Sequence, residues 1–129
     1  MDSGASNDHD MNDNNCIFCK IARGDLPSKK VYEDDDMLAF HDINPLAPVH
    51  FMIIPKKHVD SLAAAGPEHV EVLGKMMAKA GALAREAGSP EGFRTIVNTG
   101  KIARQDVYHL HIHILGGPTP LGRMVAKES

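Results

Sequence analysis

Two groups of residues in this chain have the types and spacing to do chemistry. One is a run of alternating histidines, His109-Leu110-His111-Ile112-His113-Ile114-Leu115, and the other is a cysteine pair, Cys16-x-x-Cys19. Alternation with period two is the mark of a β-strand. Successive histidines then share one face, about 6.7 Å apart, while Leu110, Ile112 and Ile114 share the other. Histidine is not a favoured filler for an exposed strand, so three imidazoles in strict alternation point to function. Two chemistries use them: metal ligation, and nucleophilic catalysis in which one ring forms a covalent intermediate while its neighbours handle protons and charge. Spacing alone does not choose between these. The cysteines admit a redox pair, two buried thiols, or half of a tetrahedral zinc site. A thioredoxin-like pair should follow a strand and open a helix in a βαβ unit, whereas this one follows a polar tail. Zinc, with two histidines completing the ligand set, suits them better.

The elements that must position these groups are legible in outline. The chain has 129 residues, 43% hydrophobic and 24% charged, which suits a single globular domain. Two cysteines are too few for a disulfide framework. No apolar run approaches the roughly 18 residues of a membrane span, and the N-terminus has neither the basic nor the apolar region of a signal peptide. A cytoplasmic protein without membrane contact is expected. Residues 1–15 hold Asp2, Asp8, Asp10 and Asp13 with no Lys or Arg, so the tail carries −4 of the net −3 and the remainder sits at +1. Such a tail is expected to be disordered. A near-neutral body lacks the electrostatic footprint of a nucleic-acid binder. Residues 16–22 read as a short helix, and 30–33, 37–42, 49–55, 93–98 and 107–115 as strands. Residues 67–87 read as one long helix, with Pro67 in its first turn and Gly88 and Pro90 at its end. Its apolar stripe comprises Val70, Leu73, Met76, Met77, Ala80, Leu83 and Ala84. The 99–106 segment is most simply a hairpin connection. Together these predict an α+β domain over residues 16–129, with a mostly antiparallel five-stranded sheet, one long helix and one short helix.

The histidine run resembles the signature of the histidine-triad (HIT) nucleotide hydrolases and transferases. Further motifs in family order support the resemblance: Cys16-Ile17-Phe18-Cys19-Lys20-Ile21, Phe40-His41-Asp42-Ile43-Asn44-Pro45, His50 through His58, and Asn98-Thr99-Gly100. The likeness runs from about residue 16 to 126. Gln105-Asp106-Val107-Tyr108 before the triad and Leu115-Gly116-Gly117 after it look like the Hint branch, the purine nucleoside phosphoramidases.

The resemblance implies a nucleotide hydrolase that cleaves purine nucleoside 5′-phosphoramidates or acyl-nucleotides through a nucleotidyl-histidine intermediate. His111 would be the nucleophile, assisted by His113, His109 and Asn98. Asp106 stands where relatives often carry Ser or Glu, and is a candidate to protonate a departing amine. Phe18, Ile21, Leu26, Phe40 and Ile43 would wall the purine, and Asp42 would accept the ribose hydroxyls. Asn98, Gln105, His111 and His113 would contact the nucleotide. Phe40 and Ile43 could equally be core residues, and Asp42 a turn residue. Relatives with this cysteine pair imply a structural Zn2+ held by Cys16, Cys19, His50 and His109, with no organic cofactor. His58, His41, His69 and His9 are read as peripheral. A homodimer with paired sheets is also implied. The chain departs from the family in Gly117-Pro118-Thr119, where an arginine often follows the glycines. Two other readings remain: a dinucleoside polyphosphate hydrolase or nucleotidyl transferase, although the Fhit branch does not match Leu115-Gly116-Gly117, and a nucleotide-binding regulatory protein with incidental turnover.

Overall fold

A computed structural model describes residues 15–123. The acidic stretch 1–15 lies outside the described residues apart from Asn15, as do residues 124–129. Helix α1 (Ile17–Arg23) is capped by Cys16, whose Sγ accepts the Cys19 N–H at 3.3 Å. It ends at Gly24, whose φ of +86° supplies the left-handed residue a helix C-terminus favours. Strands β1 (Lys30–Glu33), β2 (Met37–His41) and β3 (Val49–Pro55) follow, then 3₁₀ turns at Leu62–Ala64 and Pro67–His69. Helix α2 (Val70–Ala87), β4 (Arg94–Ile96) and β5 (Ile112–Gly116) complete the order. The five strands form one antiparallel sheet in the order β1-β2-β3-β5-β4, an α+β fold as expected. Neither described helix is long and apolar enough to cross a membrane.

Strand β3 (VHFMIIP) is buried along its whole length because both faces of the sheet are covered. On one face Phe51, Ile53, Leu110, Ile112 and Ile114 pack with Met76, Ala80 and Leu83 of α2. On the other, Leu38, Phe40, Met52 and Ile54 pack with Phe18, Cys16 and Cys19 of the α1 segment. The short helix therefore sits on the histidine face of the sheet. The apolar stripe of α2 is narrower than its sequence suggests. Met76, Ala80, Leu83 and Ala84 are buried, but Val70 and Met77, on the flanks of the stripe, are exposed.

Three boundaries differ from expectation. The long helix begins with a separate 3₁₀ turn at Pro67–His69, and β4 is shorter than 93–98. The histidine strand pairs only over Ile112–Gly116. Ile53 faces Ile112, so continuing that register would set Leu110 opposite Pro55, which has no N–H to give. The Leu110 N–H bonds instead to the Val59 carbonyl at 2.8 Å. Residues 109–111 keep alternating faces while leaving the ladder, which frees the His109 carbonyl for other use. At the far end of β5, Gly117 N–H donates to Ser89 Oγ at 2.9 Å, fastening the strand to the end of α2.

Candidate active site and metal centre

The hydrogen bonds around the three histidines fix which nitrogen of each ring carries the proton. His109 is fully buried and its Nε2–H donates to the Pro55 carbonyl at 2.8 Å, which leaves its lone pair on Nδ1. His111 is 3% exposed and its Nδ1–H donates to the His109 carbonyl at 2.8 Å. Its lone pair is thus on Nε2, with Asp106 Oδ1 at 3.6 Å. Phe18 packs edge-on against the ring, with centroids 5.1 Å apart, and sets its plane. For His113 the chain starts further back. Leu46 N–H donates to His50 Nδ1 at 3.1 Å, so neutral His50 holds its proton on Nε2 and presents it to His113 Nδ1 at 3.0 Å. Asp42 Oδ2 lies 3.4 Å from the same His50 nitrogen. His113 therefore keeps its own proton on Nε2. Burial, then neighbouring His111 and His50, push His113 down to about 4, so it is a neutral donor near pH 7. Burial lowers His50 as well, against the opposing pull of Asp42.

The second cluster lies beyond the end of β3. Cys16 Sγ is 3.3 Å and Cys19 Sγ 3.4 Å from His109 Nδ1, and Cys19 Sγ is 3.3 Å from His58 Nδ1. His58 Nε2–H donates to Asp60 Oδ1 at 2.7 Å, just as His109 Nε2–H donates to Pro55. Both rings thus turn Nδ1 toward two sulfurs, and all four ligand atoms lie within 4.8 Å of one another. Tetrahedral zinc with ordinary bond lengths would separate sulfur from nitrogen by about 3.6 Å, so small adjustments would admit the ion. Outer partners of this kind are what zinc-bound imidazoles require. Burial works against a Cys16 thiolate, but hydrogen bonds with His109 and His58 outweigh it and hold the thiol at about 5. The bond to Cys16, with Asp60 behind it, holds His58 up at about 9 against its burial, so a cation entering the cluster would displace the proton these groups share.

The expected ligand His50 is corrected by this geometry: it stands with Asp42 and His113, and His58 takes its place beside the thiols. The reason is register. His50 faces Leu115, six residues past His109 on the opposing strand, whereas His58 follows β3 at the end where His109 lies. Position after Pro55 was the signal that could have found it. Asp60, two residues on, had no sequence signal beyond its acidity.

A cleft of about 780 Å³ lies beside His50, lined among others by Ile21, Phe40, Asp42 and Ile43. Ile43 is 90% exposed, so it is a cleft wall and not core. Phe40 is both, buried at 4% and forming the floor. Phe18 does not line the cleft but backs it, edge-on to Phe40 at 5.5 Å. Leu26 is 37% exposed and outside the lining. Asp42 also serves as a turn residue, its Oδ1 accepting the Asn44 N–H at 2.8 Å. Asn98 is half-buried just beyond β4. Gln105 is not a cleft residue. Its side chain is buried and both amide donors are engaged by backbone carbonyls. The resemblance placed it at the nucleotide, but the chain turns its side chain inward.

Residues 15–127 match the family model described as scavenger mRNA decapping enzyme C-term binding. Protein HitA of Neisseria gonorrhoeae is 57% identical over 104 residues, 81% of this chain and 97% of that one. A 14 kDa zinc-binding protein of Zea mays is 44% identical over 109 residues, 83% of this chain and 85% of the maize protein. Among solved structures, a HIT family hydrolase from Legionella pneumophila is 43% identical with TM-score 0.77, covering 81% of this chain and 94% of that one. A histidine triad protein from Clostridium difficile is 45% identical with TM-score 0.79, covering 84% and 96%.

Proposed function

The chain belongs to the histidine-triad (HIT) family of hydrolases, and from that premise we propose that it is a Hint-type phosphoramidase, acting on purine nucleoside 5′-phosphoramidates or acyl-nucleotides. The observation that carries this reading is the His111 tautomer. Donation from Nδ1 to the His109 carbonyl leaves Nε2 as the free nucleophilic nitrogen. Attack by Nε2 on the α-phosphorus forms the N–P bond. The bond to the leaving amine breaks, with its electron pair going to the amine nitrogen and a proton reaching it from solvent through the exposed Asp106 carboxylate. Water then attacks phosphorus and gives up a proton through Asp106 to solvent, the P–Nε2 bond breaks with its electron pair returning to Nε2, and the nucleoside monophosphate leaves. His113, neutral with its proton on Nε2, donates to a non-bridging oxygen and shares the developing charge. His109 orients the nucleophile through its carbonyl, while its ring serves the cysteines. Asn98 helps to hold the phosphate. Asp42, Ile21, Phe40 and Ile43 take the ribose and the purine, with Phe18 and Leu26 behind and beside them.

The sulfur and imidazole set Cys16, Cys19, His58 and His109 fits zinc, and we assign it a structural role: four protein ligands leave no open position for substrate. Zinc there would pin the α1 segment to the catalytic strand. The work is carried by one domain over residues 16–129 of a cytoplasmic protein, with the sheet edge at β4 and exposed Met77 and Phe93 supporting a homodimer; light scattering that returns a monomer mass would count against that pairing.

The decisive experiment uses wild type and His111→Ala with an adenosine 5′-phosphoramidate and diadenosine tetraphosphate. The expected result is turnover of the phosphoramidate by wild type alone, with a mass increase of one nucleotidyl group trapped by rapid quench. Faster hydrolysis of the polyphosphate would favour the dinucleoside reading. Turnover surviving in His111→Ala would sink the nucleophile assignment.

A further inference from the structure

Gln105 ties together two parts of the molecule. Its side chain is 8% exposed and makes three hydrogen bonds, all to backbone. Oε1 accepts the Gly100 N–H at 2.8 Å, and Nε2 donates to the Asp60 carbonyl at 2.8 Å and the Val107 carbonyl at 2.9 Å. The Gln105 N–H donates to the Gly100 carbonyl at 3.0 Å. Gly100 and Gln105 thus close residues 100–105 into a ring, and Nε2 fastens that ring to the segment after β3. The loop needs such a fastening. Gly100 (φ +77°) and Arg104 (φ +61°) are both left-handed, a costly conformation for arginine, and Ile102 at the tip is 98% exposed and gains nothing from burial. Asp60 is the shared point. Its carbonyl receives Gln105, and its carboxylate receives Nε2–H of His58.

We propose that Gln105 is a positioning residue that couples the cysteine–histidine cluster to the loop carrying Asp106 beside His111. The inference rests on the reading of His111 as nucleophile and Asp106 as proton donor. A metal at the cluster would hold His58; His58 holds the Asp60 carboxylate, the Asp60 carbonyl holds the Gln105 amide, and Asp106 is the next residue. The cleft at Asp42 and Phe40 lies outside this run of contacts. The coupling therefore acts on leaving-group departure and not on nucleotide affinity.

Gln105→Glu separates the contacts: it keeps the Oε1 acceptor for Gly100 but turns a carboxylate oxygen against the Asp60 and Val107 carbonyls. The Zn2+-loaded full chain is assayed on two adenosine 5′-phosphoramidates, one releasing a basic alkylamine and one a weakly basic arylamine. Zinc release to a metallochromic chelator is followed in parallel. The expected result is kcat on the alkylamine substrate lowered on the order of tenfold with KM unchanged, the arylamine substrate little affected, and zinc release roughly tenfold faster. Equal losses on both substrates, a change confined to KM, or zinc release at the wild-type rate would overturn the coupling. A second measurement needs no variant. In wild type, removing zinc should speed amide hydrogen exchange across 100–106 while leaving α2, on the opposite face of the sheet, unchanged, and unaltered exchange in the loop would also overturn it. Turnover in His111→Ala would refute the nucleophile instead, and the zinc-release and exchange results would still judge the clamp.

Discussion

Two histidine clusters lie on one face of one sheet, and they are built from nearly the same parts. Each has two imidazoles and an acid: His58, His109 and Asp60 beside the cysteines, and His50, His113 and Asp42 beside the cleft. In each, the potential ligand atoms fall within 4.8 Å of one another. They differ in what the second nitrogen meets. At the cysteine cluster both Nε2–H groups meet oxygen acceptors, so both Nδ1 atoms face the sulfurs and can ligate a cation once it displaces the proton held there. At the cleft, His50 Nδ1 meets an N–H donor, that of Leu46. Its Nε2 must then carry the proton and act as donor to His113, not as ligand. To bind metal there, His50 would need its proton on the nitrogen that already receives one. Proximity of histidines and carboxylates therefore does not define a metal site, whereas the sign of the outer hydrogen bonds does.

The largest effect that would break this contrast is on metal content. The protein should hold one Zn2+ per chain, and His58→Ala should lose it while His50→Ala keeps it. The two variants should exchange roles in turnover, since His50→Ala frees the His113 tautomer. Elemental analysis after gel filtration reads this directly, and two zinc ions per chain, or loss of zinc in His50→Ala, would contradict it. Stripping zinc from wild type should also lower the thermal midpoint. A ligand at a thousand times its Kd adds about 4 kcal/mol, which in a domain of this size corresponds to roughly 15 °C. Asp60→Asn belongs one step down. The amide oxygen can still accept the His58 Nε2–H but without charge, so zinc affinity should fall by about tenfold and the fold should survive.

How much of this was legible beforehand depended on whether a feature lay in local pattern or in register. Alternation from His109 to Leu115 gave the facing of the strand correctly, because side-chain period survives even where the ladder stops. The five strands and both helices were likewise readable from apolar period and from Gly24, Pro67 and Gly88. The ladder's end was not, since it depends on Pro55 falling opposite Leu110 in a neighbouring strand. The same register decided between His50 and His58, fifty or so residues from His109 in sequence. Gln105 failed for another reason. An amide beside Asp106 can face outward or inward, and only the partners Gly100, Asp60 and Val107 show that it faces inward.

The smallest expected effect is electrostatic and concerns His113. Burial, with His111 and His50, places it at about 4 in the folded protein, against about 6.5 in an unfolded chain. Between those values the unfolded state binds more protons than the native state, so stability rises with pH across the interval. The contribution is fully present above about pH 6.5 and is lost as pH falls toward 4. His50 acts in the same direction through its own burial. Zinc ligands also take up protons in that range, so the informative quantity is a difference: denaturant stability of wild type against His113→Asn, measured from pH 6.5 down to 4.5. The variant should show the shallower dependence, by less than the 1.4 kcal/mol per pH unit that one whole proton would give. If the two slopes coincide, His113 is not held neutral by the fold. The cleft cluster would then differ from the cysteine cluster in hydrogen-bond direction alone, and His113 would need another source of its donor state.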